Sequence, residues 1–177
     1  MAQGRLLGIC GSLRAESFNK KLMREAARLY DPETFVEADL RLPLYDGDLE
    51  ADGIPLEVQR LSDEIAAADA VVIATPEYNK ALSGVLKNAL DWVSRTKGSP
   101  WDGKPVAIMS AAAGRAGGER SQFSLRLCLV AFNPNVLSQP EVLIAAPQKE
   151  FEGERLTGEF AVKLLTTQME RLRALTG

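Results

Sequence analysis

The run Ala70–Thr75 (AVVIAT) carries no polar side chain before its last position. A segment that short and that apolar reads as a strand covered on both faces, because a half-exposed strand alternates polar with apolar residues. Arg5–Cys10 (RLLGIC) and Lys104–Ser110 (KPVAIMS) read the same way, and Thr34–Leu40 (TFVEADL) alternates like a strand. Val136–Ala145 holds a fifth strand, with an interruption at Gln139–Pro140. Helical patterns lie between these runs. One begins at about Asn19, with Leu22, Ala26 and Leu29 on one face; Leu56–Ala68 places Val58, Leu61, Ile65 and Ala68 together. Gly84–Arg95 aligns Val85, Ala89 and Trp92, a further helix is expected around Glu119–Ala131, and a last one runs from about Leu156 to Leu175. Residues 41–55 read as a long loop rich in Gly, Pro and Asp, and Ala113–Gly118 as a Gly-rich loop.

Buried strands alternating with helices define an α/β protein with a parallel sheet between two helical layers. Five strands of this kind favour a three-layer, flavodoxin-like sandwich with strand order 2-1-3-4-5. No linker or repeat divides the chain, so residues 1–177 are expected to form a single domain. In such sheets ligands bind outside the carboxyl ends of the strands. The segments after Cys10, Thr75 and Ser110 are therefore the places to look for a site.

Composition removes several chemistries. The chain contains no histidine, which excludes the usual hydrolytic triads, HExxH zinc sites and histidine-ligated haem. Its two cysteines, Cys10 and Cys128, lie far apart and read as packing residues of a protein in a reducing cytoplasm. The net charge of −3 (21 Lys and Arg against 24 Asp and Glu) argues against nucleic acid as a partner. No apolar run has the ~20 residues of a membrane helix, and the first residues lack a signal-peptide layout.

The segment after the first strand is GSLRAESFN, Gly11–Asn19. It matches neither the dinucleotide fingerprint nor the P-loop, yet it has the makings of a phosphate cradle. Gly11 permits a tight approach, Ser12, Ser17 and Asn19 offer polar side chains, and a helix N-terminus presents backbone N–H groups. Arg14 adds a forked cation. The same residues also suit a plain helix cap with a solvated arginine. The segment after the third strand, TPEYNKALSG, has a strand-ending Pro76 and a helix-capping Ser83, and reads equally as an ordinary connection.

Taken together, GSLRAESFNKKL and PEYN followed by SGVLKNALDWVSR resemble the NAD(P)H-dependent FMN reductase family, which includes flavodoxin-like quinone, chromate, azo-dye and ferric reductases. Ser83 stands where that family often has proline. The resemblance implies that Ser12, Arg14, Ser17 and Asn19 hold the FMN phosphate, with Phe18 at the ribityl end. It implies that Pro76, Glu77, Tyr78 and Asn79 line the isoalloxazine, largely through backbone groups. A third segment, from Ser110 and Ala111 through Gly114 to Gly118, would close on the pyrimidine edge. The implied activity is electron transfer from NADH or NADPH through FMN to small-molecule acceptors by a ping-pong mechanism, in a homodimer or homotetramer. No catalytic side chain is obligatory. Arg95, across a subunit contact, and Arg115 are the charges within reach of the flavin mouth, although each also reads as a solvated arginine. Trp92 and the helix with Phe123, Leu127 and Val130 show wider apolar cover than one core face needs, which suits a subunit contact or, more simply, core packing. The alternative is a flavodoxin-type electron carrier without direct nicotinamide oxidation.

Overall fold

The computed structural model describes residues 4–176; residues 1–3 and 177 lie outside the described residues. The elements run β1 (Arg5–Cys10), α1 (Phe18–Tyr30), β2 (Thr34–Glu37), α2 (Gly47–Ala51), α3 (Leu56–Ala67), β3 (Ala70–Ala74) and α4 (Gly84–Val93). They continue with β4 (Pro105–Ala112), α5 (Glu119–Leu129), β5 (Asn135–Val136), β6 (Val142–Ala145), β7 (Phe151–Glu152), β8 (Arg155–Leu156) and α6 (Glu159–Ala174). The sheet order is β2-β1-β3-β4-β5, and its pairings are parallel, as expected from the alternation.

The apolar runs are buried for the reason their composition suggests. Every residue of β3 is buried, because one sheet face packs against α1 and α6 and the other against α3, α4 and α5. Leu6, Val72 and Met109 belong to the first of these cores; Leu7, Ile73 and Ile108 belong to the second.

The expected fifth strand is two short pieces, both paired with β4: β5 beside Pro105–Val106 and β6 beside Met109–Ala112. Pro140 lies between them and has no N–H to give to a ladder. Two buried glutamines fill the gap. Gln168 Nε2, from α6, donates to the carbonyls of Ile108 (3.0 Å) and Pro140 (2.9 Å). Gln122 Nε2, from α5, donates to Val142 O and to Ser110 Oγ, both at 2.9 Å.

Other expectations need correction. The 41–55 loop contains α2, capped by Asp46 Oδ1 on the Asp48 N–H at 2.9 Å. This loop covers Trp92: Pro43 O accepts from Trp92 Nε1 at 2.8 Å, and Tyr45 packs edge-on at 5.0 Å between ring centroids. Trp92 is thus wholly buried and belongs to no surface patch, whereas Phe123, Leu127 and Val130 are exposed. The last helix starts at Glu159 because residues 151–156 form the β7–β8 hairpin. After Leu129 the α5 helix tightens into a single 3₁₀ turn over Val130–Phe132.

Candidate functional site

The carboxyl ends of β1, β3 and β4 open into one crevice of about 350 Å³. Ser12, Arg14, Ser17, Phe18 and Asn19 line one side; Pro76, Glu77 and Tyr78 line another; Ala111–Ala113 form a third. A second cavity of about 740 Å³ adjoins it along Glu77, Ala112 and Ala113 and is otherwise bounded by residues 114–120. A separate hollow of about 330 Å³, around Pro100 and Trp101, shares no lining residue with either of these cavities.

Gly11 follows β1 directly, and its backbone N–H bonds Ala74 O at 2.8 Å. A Cβ there would sit 2.8 Å from Ser83 Oγ and 3.2 Å from Pro76 Cδ, so the two loops can meet only over glycine. Ser17 is the N-cap of α1: its Oγ accepts the Lys20 N–H. The N–H groups of Phe18 and Asn19 have no intrahelical acceptor, as in any first helical turn. Ser12 is buried, and its Oγ accepts the Arg14 N–H at 3.4 Å. The Arg14 side chain is exposed and has no ion pair among the described residues. Unsatisfied N–H groups and an unpaired guanidinium at one helix N-terminus fit a phosphate dianion. The small side chains of Ala111–Ala113 leave room for a flat ring beside them.

Not every expected residue faces this crevice with free groups. Asn19 is buried, with Nδ2 donating to Ala111 O and Oδ1 accepting from Ala111 N, both at 2.9 Å. Ser110 is fully buried and lines neither cavity. Its Oγ donates to Gly117 O at 2.7 Å and accepts from Gln122. Asn79 also lies outside both linings. It and Lys80, with φ of 49° and 67°, form a tight turn closed by reciprocal Tyr78–Ala81 backbone bonds at 3.1 and 3.0 Å. Two left-handed central residues mark a type I′ turn, so the Tyr78 N–H is spent on the turn. Gly114 and Arg115 line the second cavity.

Arg95 follows α4 at the end remote from the β3 loop. Its Nε contacts both carboxylate oxygens of Glu50 at 3.0 Å within the same chain. Pro147 and Gln148 complete the crevice wall and were not expected. Their segment is held by the β7–β8 hairpin, through Phe151 against Phe18 (5.6 Å between centroids) and Glu154 against Lys21 (3.0 Å). The two phenylalanines were readable in the sequence, but nothing in their spacing pairs them.

Cys10, at the end of β1, is buried. Burial pushes its thiol pKa up, against the lowering effect of hydrogen bonds to Ser12 and Ser17. It is therefore a neutral thiol at neutral pH. Among the described residues there is no cluster that could hold a metal ion and no helix long and apolar enough to cross a membrane.

A parallel sheet in this order, with free helix N–H groups and an exposed arginine after β1 and a small-residue wall after β4, has the make-up of a flavodoxin-like FMN-binding protein. Comparison with known proteins narrows the class. Residues 5–149 match the model of the NADPH-dependent FMN reductase family, and the chain belongs to that family. It is 44% identical over 172 residues to the NAD(P)H-dependent FMN reductase PA1204 of Pseudomonas aeruginosa, covering 96% of this chain and 93% of the relative. It is 38% identical over 159 residues to a quinone reductase of Escherichia coli, covering 88% of this chain and 84% of the relative. Among solved structures, the flavoenzyme NAD(P)H:(acceptor) oxidoreductase FerB of Paracoccus denitrificans superposes with a TM-score of 0.88 at 33% identity, covering 97% and 96% of the two chains. The protein is thus an oxidoreductase of the FMN reductase family, with FMN as cofactor and NAD(P)H as substrate.

Proposed function

We propose that the protein oxidises NADH or NADPH and reduces quinones, with free flavin, chromate and ferric complexes as further acceptors, by a ping-pong mechanism. The observation that carries this reading is the open crevice at the ends of β1, β3 and β4, where Pro76–Tyr78 and Ala111–Ala113 meet around one space. When bound, FMN supplies the two-electron chemistry. The chain's contribution is position. Ser12, Ser17, Arg14 and the α1 N-terminus anchor the phosphate, Pro76–Tyr78 and Ala111–Ala113 hold the ring, and backbone dipoles of the 112–118 segment favour negative charge at its pyrimidine edge. A donor and an acceptor that share one exposed face must take turns there. The homologous quinone reductases support the acceptor class.

The exposed Phe123 and Leu127 on α5, with Val130 in the turn that follows it, support a homodimer or homotetramer through that face, and the free thiols of Cys10 and Cys128 support a cytoplasmic location. The test is anaerobic: FMN-loaded protein should bleach on adding NADH or NADPH alone and recover its colour on adding a quinone. Double-reciprocal plots at several quinone concentrations should be parallel. Failure to bleach without a partner reductase would favour an electron carrier; intersecting lines would overturn the shared site.

A further inference from the structure

The α5 helix begins with an unusual cap. Its N-cap residue is Gly118, held at φ 92°, which has no side chain to accept a first-turn N–H. The acceptor comes instead from Glu77, in the loop after β3: its Oε2 accepts the Arg120 N–H at 3.1 Å. The Glu119 N–H is satisfied locally by Ala116 O at 3.1 Å, which leaves Arg120 as the donor that needs a distant partner. A carboxylate at a helix N-terminus also meets the positive end of the helix dipole. Glu77 lines both cavities, and its carboxylate is bonded to the N-terminus of α5.

We propose that Glu77 is a positioning residue, whose carboxylate ties the crevice-lining residues 76–78 to the Gly-rich segment 113–118 and so sets the width of the crevice. The segment's far end is already pinned. Ser110 Oγ holds Gly117 O, and Ser121 Oγ donates to Gly118 O at 2.6 Å. Glu77 is the contact that ties this pinned end across to the opposite loop. Without it the Arg120 N–H turns to water and the two walls separate. This inference rests on the FMN-binding reading for its affinity arm only, since the strut exists in the protein without cofactor.

The test compares Glu77→Ala, Glu77→Gln and Glu77→Asp. Glutamine keeps an acceptor oxygen at the same reach without charge; aspartate keeps the charge but is one methylene short. Backbone amide exchange of residues 112–120 in the apo-protein is the first readout, and FMN affinity by fluorescence quenching is the second. Ala and Asp should speed exchange in that segment at least roughly tenfold and weaken FMN about tenfold, the loss of one hydrogen bond to a charged acceptor. Gln should stay within about threefold of the parent in both, as a neutral bond replaces a charged one. Unchanged exchange in Glu77→Ala overturns the strut, whatever FMN does. Parent-like behaviour of Glu77→Asp, or an alanine-like Gln, overturns it too, because charge and not reach would then matter. If the parent itself fails to bind FMN, the cofactor reading falls while the exchange arm still decides the strut.

Discussion

The side-chain amide of Asn19 pairs with both backbone groups of Ala111, donating to its carbonyl and accepting from its N–H, each at 2.9 Å. Asn19 therefore acts as a one-residue strand partner for the end of β4, joining the segment after β1 to the alanine wall. Asn19→Ala would leave two buried backbone groups unpaired, each costing about 1–3 kcal/mol. Unfolding should be easier by at least roughly 2 kcal/mol, which lowers Tm by about 4 °C or more for a chain of this size. FMN and riboflavin should lose affinity together, since the wall and not the phosphate contact is disturbed. An unchanged Tm would show that the pairing contributes nothing.

Arg14 should behave in the opposite way. Its side chain is exposed and free of ion pairs among the described residues, so Arg14→Ala should leave Tm near the parent value. Charge-assisted bonds to a phosphate are worth about 1.5–3 kcal/mol each, so FMN affinity should fall roughly ten- to a hundredfold. Riboflavin, which lacks the phosphate, should bind almost as before, and Arg14→Lys should recover part of the loss. Parallel titrations of the two flavins check this; equal losses would remove Arg14 from the phosphate site.

The contrast between Asn19 and Arg14 shows what was legible in the sequence. The sheet was, because AVVIAT and its counterparts can be buried on both faces in few ways, and strand β1 has the expected bounds of Arg5–Cys10. The loops that meet at the crevice were also legible, since the topology dictates where strands end. What each polar side chain does there was not. Asn19, in the first turn of α1, and Ser110, near the end of β4, are polar residues at the right strand ends, yet both spend their hydrogen bonds on the chain itself. Core packing of Trp92 was legible from its place beside Val85 and Ala89, but its cover by Pro43 and Tyr45 was not, because that loop has no periodicity. Pro147 and Gln148 escaped notice for a similar reason: the hairpin that holds them is fixed by pairs such as Phe18–Phe151 that only the folded chain brings together.

Gly117 and Gly114 make a paired prediction within one loop. Gly117 has φ 57°, and a Cβ there would lie 2.7 Å from the Leu143 carbonyl carbon and 2.9 Å from Ile144 N. Both neighbours are backbone of the strand region and cannot swing aside. Gly117→Ala should destabilise by about 1–3 kcal/mol and shift the 113–118 segment, with weaker FMN binding. Gly114 has open space around it, so Gly114→Ala should be nearly silent in stability. Denaturant midpoints of the two variants measure the difference; equal effects would mean that the strand contact does not shape the loop.

Alkaline pH should weaken the fold through Cys10. Burial raises the Cys10 thiol pKa above its ordinary 9.0, so in the window above 9.0 the folded chain keeps a proton that the unfolded chain has lost. The unfolded state then binds fewer protons, and stability must fall as pH rises through that window, by up to about 1.4 kcal/mol per pH unit for one thiol. Below 9.0 both states hold the proton and the effect vanishes. Lys104, whose ammonium pKa is pulled down by burial, pushes the other way, but it is common to any pair of variants that differ only at position 10. Cys10→Ala should accordingly be less stable than the parent at pH 7, because it leaves a small gap in the core, and should close on the parent as pH rises above 9. Urea unfolding of both proteins from pH 7 to 10.5 reads out the difference directly. Two curves that stay parallel across that range would mean that the thiol ionises as freely in the folded chain as in the unfolded one.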